Sequence, residues 1–209
     1  MTKRLDVNDY FSNISADYAR YRPTYPQALF ALISEYVPAH DLAWDCATGS
    51  GQAAVGLSRR FLKVVATDAS DEQLSHATPV GNVEYRVAPA ENSGIQSASV
   101  NAVTVAQALH WFDLDQFYTE VRRVCTRGAV LAISFYYGLD LSFEPSIDKV
   151  LRRLDEELLE RYWPPESAKV PKSESSSFIR QRSIRSLPSR SMRYQLLLSR
   201  SRCTGILAS

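Results

Sequence analysis

The sequence predicts an α/β protein with a doubly wound, mostly parallel sheet. Short apolar runs that suit buried strands alternate with segments whose apolar residues recur at helical spacing. A glycine-rich turn follows the first of these runs, and an aspartate ends the second. The βαβ crossovers of such a sheet are expected to be right-handed. The C-terminal part of the chain lacks the alternation, so we expect the closing strands of the sheet to be missing or replaced.

The predicted elements follow one another from the first helix, which spans residues 27–37. This helix begins after Pro26, because a proline is tolerated in a first turn, and it ends before Pro38. Five short apolar strands are predicted over residues 42–46, 63–67, 83–87, 100–105 and 129–136. The connecting helices are predicted over residues 52–61, 71–76 and 114–124. A further amphipathic helix is predicted over residues 147–162.

Charge divides the chain into two unlike parts. The 209 residues are 45% hydrophobic and 22% charged, which suits a packed domain of ordinary size. Residues 1–166 carry 15 Lys and Arg against 22 Asp and Glu, a net charge of −7, whereas residues 167–209 carry 9 against 1, a net charge of +8. We therefore expect a folded domain over residues 1–166 and a basic, Ser/Arg-rich, mostly disordered tail over residues 167–209. Within the tail, only residues 194–198 look like a strand.

Composition also narrows the cellular setting. Three widely spaced cysteines exclude a disulfide scaffold and a CxxC zinc site, and they favour reduced thiols in the cytoplasm. No metal site is expected. The N-terminus has no apolar run behind its basic residues, and no run of 18 apolar residues occurs, so neither a secretory signal nor a membrane helix is expected.

The candidate ligand-binding turn lies in residues 43–52, AWDCATGSGQ. Gly49 and Gly51 let the backbone approach a ligand closely, and the helix that follows offers free N–H groups at its start. Asp68 lies 17 residues past Gly51, at the end of the next strand. An acid at that place can accept hydrogen bonds from both hydroxyls of a ribose. The simpler alternative is a generic strand–turn–helix with a surface aspartate.

Two classes of cofactor fit this turn. Residues 49–54, GSGQAA, also match the G-x-G-x-x-A pattern of nicotinamide-dependent oxidoreductases. Asp45 argues against that class, because its carboxylate would repel a pyrophosphate. The same carboxylate is favourable beside the ammonium and sulfonium groups of S-adenosylmethionine, which has no phosphate.

Further segments of the chain extend the pattern. They are APAE at 88–91 after the third strand, QALHWF at 107–112 after the fourth, RRVCTRG at 122–128 before the fifth, and YARYRPTYP at 18–26. Together with the glycine turn and Asp68, these segments make the chain resemble the class I S-adenosylmethionine-dependent methyltransferases, within the small-molecule group similar to trans-aconitate methyltransferases. The resemblance covers about residues 10–166 and implies a Rossmann-like fold with its cofactor-binding core over residues 40–136.

The resemblance implies roles for the residues that match. The implied cofactor is S-adenosylmethionine, and its candidate contacts are Asp45, Ala47 (where a glycine is usual), Gly49, Gly51, Asp68, Ala90, Glu91 and Gln107. The candidate substrate contacts are Tyr18, Arg22, Tyr25 and Trp111, with solvent-facing loop residues as the alternative for the tyrosines and the arginine.

His110 is the candidate catalytic base, because it is the one histidine inside a motif. Packing beside Trp111 as a wall of the pocket, without proton transfer, is the favoured interpretation. A carboxylic acid acceptor would need no base, because it is already ionised at pH 7. The resemblance implies a small molecule as the partner, with a carboxylic acid as a candidate chemical class, and neither a membrane nor a nucleic acid is expected.

Three other interpretations stay open. The chain could be a nicotinamide-dependent oxidoreductase, a non-catalytic or truncated methyltransferase-like protein, or an interaction protein whose basic tail binds RNA or an acidic partner. The tail has few aromatic residues for base stacking, which argues against RNA. Without closing strands, residues 129–136 would form an exposed apolar edge, which predicts a marginally stable protein with low or absent activity.

Overall fold

Strands and helices alternate along the part of the chain that the structure, a computed structural model, describes: residues 25–139 and the strand 192–200, with side chains over 25–134. The strands are β1 (Leu42–Cys46), β2 (Lys63–Asp68), β3 (Val83–Val87), β4 (Val100–Ala106), β5 (Cys125–Leu139) and β6 (Met192–Arg200). The α-helices are α1 (Gln27–Tyr36), α2 (Gln52–Leu57), α3 (Asp71–Ser75) and α4 (Leu114–Val124), and a 3-10 helix spans Leu109–Trp111. None of the helices in this described part is long and apolar enough to cross a membrane.

The six strands form one sheet in the order β3-β2-β1-β4-β5-β6. Strands β1 to β5 pair in parallel, and β6 pairs antiparallel with β5. The strand order reverses between β1 and β4, which are direct neighbours. Ligands of open α/β sheets bind in the crevice outside the carboxyl ends of the strands at such a switch point. The predicted α/β sheet is confirmed, and the ends of β1 and β4 mark where its site lies.

Apolar side chains pack on both faces of the sheet. Successive residues of a strand point to opposite faces. Trp44 and Cys46 therefore join the cluster beneath α4, which includes the fully buried Phe117, while Ala43 joins the cluster beneath α1 and α2 with Phe30 and Leu57. Helices on both faces make the sheet doubly wound, and they hold the carboxyl edge of the strands in place.

Helix α2 is shorter than predicted, since it ends at Leu57 and the predicted helix runs to residue 61. The Ser58 hydroxyl donates to the Val55 carbonyl at 2.8 Å, as an alternative to helical pairing. The side-chain amide of Asn82 donates to the carbonyls of Ser58 and Phe61 at 2.9 and 3.0 Å. These carbonyls are satisfied by a residue outside the helix, so the chain can turn there without losing hydrogen bonds.

Strand β5 is longer than the predicted 129–136, and it is not an uncovered edge. Strand β6 pairs with it from Val130↔Arg200 to Leu139↔Met192. The expectation that β5 lies exposed is therefore wrong, because β6, which includes residues 194–198, satisfies the backbone donors and acceptors of that edge. The predicted helix over 147–162 and the predicted disorder of 167–191 and 201–209 lie outside the described residues.

Candidate active site

The turn after β1 is held against the end of β2 by Asp68. The Gly49 N–H donates to Oδ2 of Asp68 at 2.8 Å, and the Ser70 N–H donates to Oδ1 at 2.9 Å. The Thr48 N–H donates to the carbonyl of Thr67 at 2.9 Å. A carboxylate oxygen has more than one acceptor site, so the half-buried Asp68 can also accept from ribose hydroxyls. The structure thus brings together the glycine turn and the predicted ribose acid.

The backbone of this turn is left-handed at three residues, with φ of 54° at Ala47, 57° at Gly49 and 86° at Gly51. A Cβ atom on Gly51 would lie 2.5 Å from Oη of Tyr85, so the Tyr85 side chain would have to shift to admit a side chain there. The left-handed conformation costs a non-glycine residue such as Ala47 about 1–2 kcal/mol. Strain of this kind concentrates at ligand sites, where it lets the backbone approach a bound group.

Asp45 lies at the end of β1 and is almost fully buried, with 1% of its surface exposed. Its Oδ2 accepts from the hydroxyl of Thr48 at 2.5 Å, and its Oδ1 accepts from the hydroxyl of Thr104 at 2.6 Å. Thr104 is its direct neighbour on β4. These two hydroxyl groups tie the carboxylate to the turn and to β4 at the switch point.

The negative charge of Asp45 acts on its neighbours. Burial, and next the charge of Asp45, raise the pKa of the Cys46 thiol well above its usual value. Burial and then the same charge also raise the pKa of Tyr85. The negative potential of Asp45 therefore extends over this end of the sheet, where it favours a cationic ligand.

Gln107 follows β4, the strand next to β1 in the sheet. Its backbone is left-handed, with φ of 61°, and its N–H donates to the carbonyl of Ser134 at 3.0 Å. Its side-chain nitrogen Nε2 is buried and meets no hydrogen-bond acceptor among the described residues. A buried donor without an acceptor costs about 1–3 kcal/mol. This amide is therefore poised to donate to an oxygen of a bound ligand.

The 3-10 helix after Gln107 packs His110 against Trp111. Their rings lie 4.9 Å apart between centroids at an angle of 43°, and both side chains are partly buried. The sequence pattern did not predict this helix, which the chain enters through the strained conformation of Gln107. The ring contact supports the interpretation of His110 as a wall of the pocket, and its role as a base stays a prediction.

The segment that contains Ala90 and Glu91 is anchored to α4. Ala90 is buried in the cluster beneath that helix. Oε1 of Glu91 accepts from the N–H of Asp113 at 2.9 Å, and the Asp113 side chain in turn caps α4 through the N–H of Gln116 at 3.2 Å. The structure therefore shows a fold-internal contact for Glu91, and the predicted cofactor contacts of both residues stay predictions.

Glu120 on α4 is a buried acid that the sequence analysis missed. Its Oε1 accepts from the N–H and the hydroxyl of Ser93 at 2.8 and 2.6 Å. Arg123 donates to Oε2 and Oε1, both at 2.7 Å, and to the carbonyl of Ile95 at 2.8 Å. The hydrogen bonds from Arg123, and then those from Ser93, lower the pKa of Glu120 to about 2. The i, i+3 spacing of Glu120 and Arg123 was the available signal.

Tyr25 is the one candidate substrate contact of the N-terminal segment that lies within the described residues. It is buried and packs edge-on against Phe30 with ring centroids 6.4 Å apart, so the solvent-facing alternative is wrong for this residue. Tyr25 also lines a cavity of about 10 Å³ with Thr104 and Ser134, at the carboxyl ends of β4 and β5. This volume is about that of one water molecule. Tyr18 and Arg22 lie outside the described residues.

The side chains at the switch point fit S-adenosylmethionine. Asp68 suits the ribose hydroxyls, the potential of Asp45 suits the sulfonium and ammonium groups, and Gln107 offers a donor to a ligand oxygen. A dinucleotide would bring its pyrophosphate toward Asp45, which is unfavourable. The described residues contain no group of three His, Cys, Asp or Glu side chains that could hold a metal ion.

Comparison with known protein sequences identifies the same kind of domain. A family model described as a methyltransferase domain matches residues 44–133. A Dictyostelium discoideum protein named as a methyltransferase is 38% identical over 162 residues, which are 76% of this chain and 61% of that protein. A Saccharomyces cerevisiae protein named as an S-adenosylmethionine-dependent methyltransferase is 29% identical over 148 residues, which are 65% of this chain and 49% of that protein. The matched part of the chain thus spans 61% and 49% of the lengths of these two curated relatives.

One solved structure matches this chain over nearly its whole length. A protein from Anaeromyxobacter dehalogenans named as a type II methyltransferase is 30% identical and superposes with a TM-score of 0.68, covering 88% of this chain and 98% of that protein. The extent of this structural match is informative, because the match includes the sheet as a whole and not the glycine turn alone. The chain belongs to the class I S-adenosylmethionine-dependent methyltransferases.

Proposed function

We propose that this chain transfers the methyl group of S-adenosylmethionine to a small molecule. The observation that carries the proposal is the closure of the glycine turn on Asp68, beside the buried Asp45, at the switch point of the sheet. In this proposal Asp68 holds the ribose, the turn around Gly49 and Gly51 lies along the cofactor, and Gln107 donates to one of its oxygens. The pairing of β6 with β5 removes the main reason to regard the chain as a non-catalytic remnant.

We further propose that the acceptor is a carboxylic acid, as in the small-molecule group similar to trans-aconitate methyltransferases. A carboxylate oxygen forms its bond to the methyl carbon while the carbon–sulfur bond breaks, and the electron pair of that bond stays on sulfur. Such an acceptor needs positioning and no base. The packing of His110 against Trp111 supports a pocket wall at this place. A cytoplasmic setting suits the buried thiols of Cys46 and Cys125.

Calorimetric titration of the full chain tests the cofactor. We expect S-adenosylmethionine and S-adenosylhomocysteine to bind and NADH not to bind. Asp68→Ala should weaken binding by about 1.5–3 kcal/mol, the range for hydrogen bonds to a charged group. Asp115→Ala, which removes an exposed carboxylate on α4, serves as the control and should bind as the parent does. Binding of NADH alone, or an unchanged affinity of Asp68→Ala, would contradict the proposal.

Transfer of an isotope-labelled methyl group tests the acceptor. The chain is incubated with labelled S-adenosylmethionine and a set of small carboxylic acids, amines and alcohols, and products are identified by mass spectrometry. We expect labelled methyl esters of one or more acids. Label that appears on amines or alcohols alone would show that the acceptor is not a carboxylate, and would require a base for which His110 is the candidate.

A further inference from the structure

We propose that Thr104 is a positioning residue of the cofactor site: it holds the carboxylate of Asp45, and through Asp45 it fixes the turn after β1. The inference rests on the proposed function, because it concerns the site where S-adenosylmethionine would bind. No motif of the sequence contains Thr104, and its residue type is ordinary for a strand.

The carboxylate of Asp45 forms a bridge between β4 and the turn. One oxygen accepts from Thr104 on β4 at 2.6 Å, and the other accepts from Thr48 in the turn at 2.5 Å. All three side chains are buried, with exposures of 1% for Asp45, 4% for Thr104 and 6% for Thr48. Hydrogen bonds to an ionised acceptor are stronger than those between neutral groups, and burial strengthens them further. The geometry of the bridge is therefore well defined.

The bridge continues from Thr48 to β2. The carbonyl of Thr48 accepts from the N–H of Gly51 at 3.0 Å, and the next residue, Gly49, donates to Asp68. The contacts therefore connect β4, β1 and β2, the neighbouring strands whose carboxyl ends border the crevice. A ligand that lies across the switch point touches groups of all three strands. Loss of the Thr104 hydroxyl would leave the carboxylate without one of its donors and would loosen the turn.

Two roles for Asp45 make different predictions. If Asp45 acts by direct contact with the sulfonium, its removal weakens S-adenosylmethionine more than S-adenosylhomocysteine, which lacks that charge. If Asp45 acts through the bridge, both ligands weaken by a similar factor, and Thr104 shares the effect. The occupation of both carboxylate oxygens by threonine hydroxyls favours the bridge.

A double-mutant cycle on the full chain tests the bridge, with the dissociation constant of S-adenosylhomocysteine measured by calorimetry. We expect Thr104→Val and Asp45→Ala, which leaves no acceptor oxygen, each to weaken binding about tenfold, and the double variant to bind as weakly as Asp45→Ala alone. Thr104→Ser keeps the hydroxyl and should bind within about twofold of the parent. Thr126→Val is the matched control, since it removes a threonine hydroxyl bonded to Val100 at the other end of β4 and should not change the affinity.

Several results would overturn the inference. Additive losses, a parent-like affinity of Thr104→Val, or no rescue by Thr104→Ser would each show that the bridge does not position the site. A loss for S-adenosylmethionine without a loss for S-adenosylhomocysteine would assign direct contact to Asp45 instead. If Thr104→Val does not fold, Thr104→Ala removes the same hydroxyl with a smaller side chain and replaces it in the cycle. A parent chain that binds neither ligand would overturn the proposed function itself, and the inference with it.

Discussion

Two buried carboxylates, Asp45 at the end of β1 and Glu120 on α4, are stabilised in different ways. Glu120 accepts hydrogen bonds from the guanidinium of Arg123, so its charge is matched within the fold. Asp45 accepts from the neutral hydroxyls of Thr48 and Thr104, and its charge raises the pKa of nearby groups. Glu120 ties α4 to the segment around Ser93 through a charged partner, whereas Asp45 ties β4 to the turn after β1 through hydroxyl groups.

The largest expected effect is a loss of stability when Glu120 is replaced. Glu120→Ala removes the acceptor of Ser93 and Arg123 and should lower the free energy of unfolding by about 2–3 kcal/mol. The affinity for S-adenosylhomocysteine should change much less than in Asp45→Ala. Urea denaturation and calorimetry measure the two quantities, with the exposed helical Glu72→Ala as the control. A large loss of affinity with unchanged stability would reverse the roles of the two carboxylates.

The pH dependence of folding sharpens the same comparison. The pKa of Glu120 is lowered to about 2 in the folded protein, so its contribution is present above the unfolded pKa and is lost as the pH falls toward 2. We expect this group to account for a loss of about 2 kcal/mol between about pH 5 and pH 2. The free energy of unfolding, measured by urea denaturation at each pH, should fall less over this range in Glu120→Gln than in the parent.

Glu84 is the control for this measurement. Arg86, and next Lys63, lower the pKa of Glu84 to about 2 as well, but its side chain is 41% exposed and solvent screens the pairs. Glu84→Gln should therefore change the acid slope less than Glu120→Gln does. If the free energy of unfolding depends on pH equally in the two variants, burial of Glu120 adds nothing to its contribution to stability.

A smaller loss of stability is expected from a substitution in the turn after β1. Gly51→Ala places a Cβ in a left-handed backbone and against Tyr85, so it should lower the unfolding free energy by about 1–2 kcal/mol. The affinity for S-adenosylhomocysteine should fall about tenfold, because the turn must move away from the ligand. Gly81→Ala, at a glycine with open space around its Cα, is the control for both measurements. A parent-like affinity of Gly51→Ala would show that the ligand does not lie along this turn.

The smallest expected effect is a gain in the free energy of unfolding. Ala47→Gly relieves the left-handed strain at φ of 54° and should raise the unfolding free energy by about 0.5–1 kcal/mol, after the entropy that glycine adds to the unfolded chain. Ala98→Gly tests the same substitution at φ of 51°, before β4 and away from the carboxyl edge. Both gains can be measured by thermal denaturation. A decrease in either variant would show that the alanine conformation is not strained.

Local patterns predicted the parallel sheet well. The bounds of β1, β3 and α4 agree with the predicted ranges, because apolar periodicity and caps act within a few residues. Features that depend on distant contacts were missed. The end of α2 depends on Asn82, 24 residues from Ser58, and β6 pairs with a strand far earlier in the chain.

The candidate site also combines features that local sequence patterns predict with features that depend on distant contacts. The glycine turn and Asp68 could be predicted because their types and spacing are distinctive, and the structure joins them. The contact between Asp45 and Thr104 could not, because the two residues are 59 positions apart and a threonine on a strand is unremarkable in sequence. Glu120 was missed since a charged pair on a helix usually lies in solvent.

The antiparallel pairing of β6 with β5 has a consequence for synthesis on the ribosome. The 52 residues between Leu139 and Met192 must be translated before β6 can begin to add to the sheet. At a rate of roughly 5–20 residues per second, this translation takes about 3–10 s, during which β6 is not available to pair with β5. A strand edge without its partner is a template for pairing with other chains, so the nascent protein is exposed to misassembly for longer than a fold whose last strands are adjacent in sequence.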